Sequence, residues 1–290
     1  GKDASPAMSA TTLPDDVYAG VIELHGKDAI AFAHAQTMND VRALGDGEWQ
    51  WNGLLNPKGR LIALFLLLRV DPETLWLLCC DHPPGALVAT LGRFVFRSKV
   101  SLRWREDVRC SGVSRNNGEA SPDSVRSIDL PGSEPRRVLL CTAGTEPAPP
   151  APETFIDHEQ WRYEDISLGI PRLAPDQSES FTPQMLGLDR ISAYSVRKGC
   201  YPGQEIVART HFLGQAKRTL QRVAATRAMQ VGEAVTGQGD SAGIIVCAAS
   251  HADAHRALAL LASPPPSTTL WLESDGVELQ LLPASGRPAA

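Results

Sequence analysis

What this chain does not contain narrows it first. No apolar run is long enough to cross a bilayer: the longest, Leu61 to Leu68, is stopped by Arg69, whereas a spanning helix needs roughly 20 such residues. That run reads as a buried strand, and a soluble chain without a membrane role is expected. The opening residues, Gly1 to Ala7, hold no apolar stretch and are not expected to act as a secretory signal. There is no excess of cations either. A formal charge of −5 and a pI near 5.8 argue against direct nucleic-acid binding, whose footprint is basic. Six cysteines at uneven spacing form no disulfide framework and fit a reducing, cytoplasmic compartment.

Several chemistries are missing as well. The chain has no Walker-type phosphate loop, no glycine fingerprint after a strand and no Gly-x-Ser-x-Gly elbow. His251 and His255 stand four apart without a third ligand nearby in sequence, so no metal site is expected. Neither a repeat of fixed period nor a heptad pattern is present.

What is there alternates between strand and helix. A strand over Val17–Leu24 leads to Asp28, an expected N-cap for a helix through Ala29, Phe32 and Met38. Short strands around Trp49 and Trp51 turn at Asn56-Pro57-Lys58-Gly59, and Leu61–Val70 and Thr74–Cys80 follow as an antiparallel pair. Neighbouring Cys79 and Cys80 point in alternate directions and read as core thiols. A helix is expected over Ala86–Gly92, then strands at Phe94–Phe96 and Val100–Arg105. Ser111–Ser127 reads as a loop, Arg137–Thr142 as a strand and Thr145–Pro152 as a proline-rich spacer. Helix is expected at Phe155–Ile166 and again from Thr182-Pro183 to Leu188. After Arg218, short strands between Gly-, Ser- and Pro-rich turns predict a small barrel. The whole is an α+β pattern with an all-β end.

One stretch concentrates reactive groups: Arg197-Lys198-Gly199-Cys200-Tyr201-Pro202-Gly203-Gln204-Glu205, running on to Arg209. Glycine frees the backbone for positive φ, and proline fixes one φ and removes a donor. Cys200 is therefore expected on a tight turn rather than inside a helix. Beside Arg197 and Lys198 its thiol leans towards thiolate, the nucleophilic and metal-binding form. From residue types alone, a functional thiol and a chance cysteine on a surface turn both remain open. Trp49, Trp51 and Trp161 are either core packing or platforms for a flat heterocycle.

The run from Lys198 to Glu205, with Val207-Ala208-Arg209, Gly214 and Lys217-Arg218, resembles the signature of the YgfZ-type folate-binding proteins. Asn39-Asp40-Val41, Pro57–Arg60, Phe96–Val100, Gly169-Ile170-Pro171 and Phe181–Gln184 fall in the order of that family, so the resemblance covers about residues 17–220. The family is a branch of the glycine-cleavage T-protein (aminomethyltransferase) fold, and its eukaryotic relatives assist mitochondrial iron–sulfur assembly. The resemblance implies three domains in a ring. Two interleaved, discontinuous domains would occupy 14–215, and a small barrel 216–290. It also implies tetrahydrofolate or another folate derivative in a central cavity, with the cysteine loop at the rim. Trp161 matches the tryptophan associated with folate, and Tyr18 is the nearest match to a second aromatic. Arg209, Asn56 and Lys58 complete the implied cofactor contacts. Around Cys200, Lys198 and Arg209 would favour the thiolate, Gly199 and Gly203 would shape the turn, Tyr201 belongs to the motif, and Gln204 and Glu205 would hold the loop by hydrogen bonds.

Two departures from the T-protein shape the functional expectation. Ser167 stands where that protein has a glutamate, and Asn56 where related proteins often have an aspartate. Neither side chain takes a proton as a carboxylate does. The resemblance therefore implies an accessory factor without classical turnover for iron–sulfur assembly or repair, which supports tRNA modification and serves clients such as tRNA-thiolating enzymes. A monomer is expected. The alternative is a tetrahydrofolate-dependent one-carbon transferase.

Overall fold

A computed structural model describes residues 15–115, 126–132, 134–143, 155–214 and 217–283. The proline-rich spacer lies outside them.

The first body is an antiparallel sheet of β1 (Gly20–His25), β2 (Trp49–Leu55), β3 (Leu61–Asp71), β4 (Thr74–Cys79) and β5 (Ser101–Trp104), in the order β2-β3-β4-β1-β5. Helices α1 (Ala29–Gln36) and α2 (Pro84–Gly92) cover one face, where Phe65 and Leu67 of β3 join Phe32, Leu87 and Leu91. On the other face Leu64, Leu66 and Leu68 join a larger core with Trp51, Trp76, Trp161 and the inner residues of the second body. Successive strand residues point to opposite faces. A strand buried on both faces must therefore be apolar throughout, which accounts for the unbroken run at Leu61–Leu68. Cys79 and Cys80 divide between the same two cores, as their alternation implies.

The second body is a sheet of β6 (Val108–Ser114), β7 (Arg126–Leu130), β8 (Arg136–Thr142) and β9 (Phe155–Ile156), ordered β7-β8-β6-β9, followed by α3 (His158–Ser167). The Asp157 carboxylate caps α3 by accepting the Gln160 N–H at 2.8 Å. Helix α4 (Gln204–Leu213) then leads to the third body. This is a closed barrel of β10 (Arg218–Ala225), β11 (Ala234–Gly237), β12 (Asp240–His251), β13 (Ala254–Ala262), β14 (Leu270–Leu272) and β15 (Glu278–Leu281). The barrel is tied to α3 by Arg222 Nη1, which donates to the Ser167 carbonyl at 2.7 Å. An α+β chain ending in a barrel is what the sequence predicts.

Local expectations differ in places, each for a visible reason. Phe94–Phe96 is not a strand: β1 already pairs with β4 and β5, and the segment turns instead, with Phe96 at φ 43°. Thr182–Leu188 forms consecutive turns rather than a helix, with Gly187 at φ 63° breaking any helical run. Ser111–Ser114 continues β6 instead of looping. Phe155-Ile156 pairs with β6 before α3 begins. Asp28 precedes α1 without capping it; its carboxylate accepts the Lys99 N–H at 2.7 Å.

Candidate functional site

The cysteine segment folds as an anchored loop that ends in α4. Ser195 organises its start: its hydroxyl accepts the N–H groups of Arg197 and Lys198, and its carbonyl accepts the Tyr201 hydroxyl at 3.1 Å. The Lys198 ammonium donates to the carbonyls of His34, Thr37 and Asn39, the last at 2.8 Å. It also stands 4.7 Å from the centre of the Tyr201 ring. These carbonyls lie at and just beyond the C-terminus of α1, where free C=O groups carry the negative end of the helix dipole. Burial pulls the Lys198 pKa down to about 8. Its charge is thus committed to pinning the loop, a different role from the activation of Cys200 that adjacency suggests.

The other end of the loop rests on the hairpin between β2 and β3. Gly203 has φ 79°, and a side chain there would lie 2.7 Å from the Asn56 carbonyl and 2.8 Å from Gly59 Cα. Gly59 has φ 76°, and its Cβ would collide with Ile206 on α4 at 2.7 Å. Two glycines are needed because two backbones cross there. Gly199 is different: outside the left-handed region, a Cβ added to it would meet nothing within 4 Å.

Asn56 keys this hairpin. Its Oδ1 accepts the N–H groups of Lys58 and Arg60, and its Nδ2 donates to Glu179 Oε1 at 3.1 Å. An aspartate would face Glu179 without a donor, which explains an amide at this place. Lys58 is exposed beside it. Gln204 and Glu205 form the first turn of α4 rather than bracing the loop, and Arg209 lies exposed on the same helix. Cys200 is the one exposed thiol of the six; Cys141 is half-buried and the other four are buried. Burial raises Cys79 to about 12 and Cys247 to about 11, which keeps them protonated and inert.

A cavity of about 780 Å³ opens between the first and second bodies. Trp49, Gln50 and Trp51 of β2 form one wall, Arg115, Asp129 and Arg136 another, and Arg190–Ser192 a third. The two indoles lie edge to face, with centroids 6.2 Å apart. Asp129 pairs with Arg137 at 2.6 Å and Arg115 at 3.5 Å. Arg190 makes no ion pair among the described residues, so cations dominate this space.

Trp161 and Tyr18 do not line the cavity. Both are buried, edge to face at 6.0 Å. Trp161 acts from behind the wall: the Arg136 guanidinium sits 4.2 Å over its ring. Gly112 lets the indole approach β6, since a Cβ there would come within 2.6 Å of it. Arg136 is held by Asp165 at 2.7 Å; Asp165 also binds Arg172 at 3.1 Å, and Arg172 reaches Asp81 at 2.9 Å. No contiguous motif marks Arg136, Asp165 and Arg172. A signal was available, because Trp161 and Asp165 are four apart and share one face of α3. A carboxylate on an apolar face calls for a buried partner.

The structure thus brings the cysteine loop, Asn56 and Lys58 together, and sets Trp161 with Tyr18 behind the cavity wall. No family model matches the chain. It is 34% identical over 203 residues to an uncharacterized protein of Haemophilus influenzae, covering 69% of each chain. It is 27% identical over 220 residues to the tRNA-modifying protein YgfZ of Colwellia psychrerythraea, covering 69% of this chain and 68% of that one. With an iron–sulfur cluster assembly factor IBA57 homolog, mitochondrial, of Mycosarcoma maydis it shares 28% identity over 235 residues, covering 75% and 58%. In structure it resembles the glycine cleavage system aminomethyltransferase T from Bartonella henselae, with a TM-score of 0.73 over 94% of this chain and 86% of that one at 14% identity. An exposed cysteine in the Lys198–Glu205 motif, a fold of the aminomethyltransferase T type and these relatives agree: the chain belongs to the YgfZ-type family.

Proposed function

We propose that this chain is a folate-binding accessory protein that supports iron–sulfur cluster assembly or repair, and through it tRNA modification, with Cys200 as its working thiol. The observation that carries the reading is the loop: of six cysteines one is exposed, on a segment pinned at Lys198 and Gly203. The relatives' names, a tRNA-modifying protein and an iron–sulfur cluster assembly factor, support the same direction.

The cavity suits a folate. Its volume is that of a small-molecule site. Trp49 and Trp51 offer aromatic surface to a flat ring, and Arg115 and Arg190 offer forked donors to carboxylates. Bound tetrahydrofolate supplies a carrier for one-carbon units. The chain's own part is to hold it: Asp165 and the Trp161 ring lock Arg136 into the cavity wall, which keeps that wall in shape behind the ligand. Among the described residues no three metal-ligating side chains converge. In this reading Cys200 meets a cluster, metal or thiol that a partner brings, such as a tRNA-thiolating iron–sulfur enzyme. In this reading the chain works as a monomer in the cytoplasm. No helix among the described residues is long and apolar enough to cross a membrane.

One-carbon transfer is the second reading, and two observations weigh against it. The Ser167 hydroxyl donates to the Tyr163 carbonyl, and Asn56 is occupied by the hairpin. Neither is free to move a proton. Substituting Cys200→Ala tests the first reading. The variant is expected to fold and still to bind tetrahydrofolate, while failing to restore cluster-dependent enzymes in cells lacking the protein. Full restoration would remove the thiol from the function.

A further inference from the structure

Asn39 joins two places that the sequence keeps far apart. It is a buried residue, and its amide Nδ2 donates to the Trp51 carbonyl at 2.8 Å and to the Ser192 carbonyl at 2.7 Å. Trp51 and Ser192 both line the cavity. On its other side the Asn39 carbonyl accepts the Lys198 ammonium at 2.8 Å, the anchor of the cysteine loop. The link is doubled through Asn52, also buried. Asn52 Oδ1 accepts the Asn39 N–H at 3.0 Å, and its Nδ2 donates to the Thr37 hydroxyl at 3.0 Å. Thr37 supplies another of the carbonyls that hold Lys198.

The chain itself gives a second route. Ser195, three residues beyond Ser192, donates its N–H to Met38 at 2.9 Å and receives the loop's N–H groups on its hydroxyl. A buried amide that loses a partner leaves a polar group unsatisfied, so it moves with its partners rather than apart from them. A shift of the cavity wall at Trp51 or Ser192 is thus carried to the carbonyls that hold Lys198.

We propose that Asn39 is a positioning residue that couples the cavity to the cysteine loop, so that a ligand in the cavity sets the reactivity of Cys200. The inference rests on the reading of the cavity as a folate site. A ligand that shifts the loop between two arrangements is coupled to it reciprocally, so a group fixed on Cys200 that favours one arrangement changes the affinity of the cavity in turn.

The test uses the full chain and tetrahydrofolate. Iodoacetamide alkylation of Cys200 is followed on the tryptic peptide Gly199–Arg209, which contains no other cysteine, with and without saturating ligand. The protein alkylated at Cys200 is then titrated with tetrahydrofolate by calorimetry. Ligand is expected to change the alkylation rate by at least about threefold, and alkylation to change the dissociation constant by at least about threefold. In Asn39→Ala both ratios are expected to fall towards one. If that variant is poorly folded, Lys198→Met tests the link from the loop side, since it removes the ammonium and leaves the Asn39 amide on the cavity wall. A variant that alters alkylation equally with and without ligand has lost only packing, and that result overturns the proposal. Tetrahydrofolate that binds while both wild-type ratios stay at one overturns the coupling and leaves the folate reading intact. Failure of tetrahydrofolate to bind at all overturns the folate reading itself, and the inference with it.

Discussion

Gly203 and Gly199 lie four residues apart in one motif, yet the fold asks different things of them. At Gly203 any Cβ meets backbone, and the backbone is left-handed at φ 79°. Backbone cannot swing aside as a side-chain tip can, so strain and overpacking act together. Gly203→Ala is expected to cost about 2–4 kcal/mol, read as a lower urea midpoint with an unchanged slope. Gly199→Ala faces open space and is expected to stay within about 0.5 kcal/mol. Equal costs at the two positions would show that the crossing with the β2–β3 hairpin is not what Gly203 serves. Spacing cannot separate the two glycines, because what crowds Gly203 comes from a segment about 140 residues away and nothing crowds Gly199.

At the scale of elements, the C-terminal end of α1 and the cysteine loop act as one piece, with Lys198 between them. Burial holds this lysine near pH 8, below the value of about 10.4 for lysine in an unfolded chain. Between those values the unfolded chain binds the proton and the folded chain does not. The contribution of this group to stability therefore rises with pH across that window, and it is constant below it. Lys198→Met is expected to flatten the rise in urea midpoint between pH 8 and pH 10 relative to wild type. Parallel pH profiles would exclude Lys198 as its source. Most strands were legible in the sequence, since β3, β4 and the barrel strands carry runs bounded by turn residues. Helix α4 was not. It begins at Pro202-Gly203, which reads as a turn, and it buries only Val207, too little to leave an amphipathic stripe.

Across the whole molecule, Asp165 is the joint. Through Arg136 it holds β8, and through Arg172 it reaches Asp81 and the carbonyls of Val17 and Cys80. It thus links the two bodies that enclose the cavity. With Asp165 truncated, both guanidinium groups lose a buried carboxylate, and Arg136 no longer has its closest partner. Asp165→Ala is expected to cost about 3–5 kcal/mol and, on the folate reading of the cavity, to weaken tetrahydrofolate binding, measured by denaturant midpoint and by titration. A cost below about 1 kcal/mol would mean the network is incidental to the fold.

Local sequence determined most strands, the barrel and the motif that carries Cys200, while the exposure of that thiol came only with the fold. Apolar runs and turn residues act within a few positions, and the motif around Cys200 is contiguous. Tertiary structure alone decided which aromatic residues face the cavity, Trp49 and Trp51 rather than Trp161 and Tyr18. It also decided that Lys198 anchors the loop instead of attending the thiol, and that Asn39 stands between cavity and loop. The reason is common to all three. Each role depends on a partner more than a hundred residues away or on the side of a sheet that another body covers. Neither is written in the spacing of neighbouring residues.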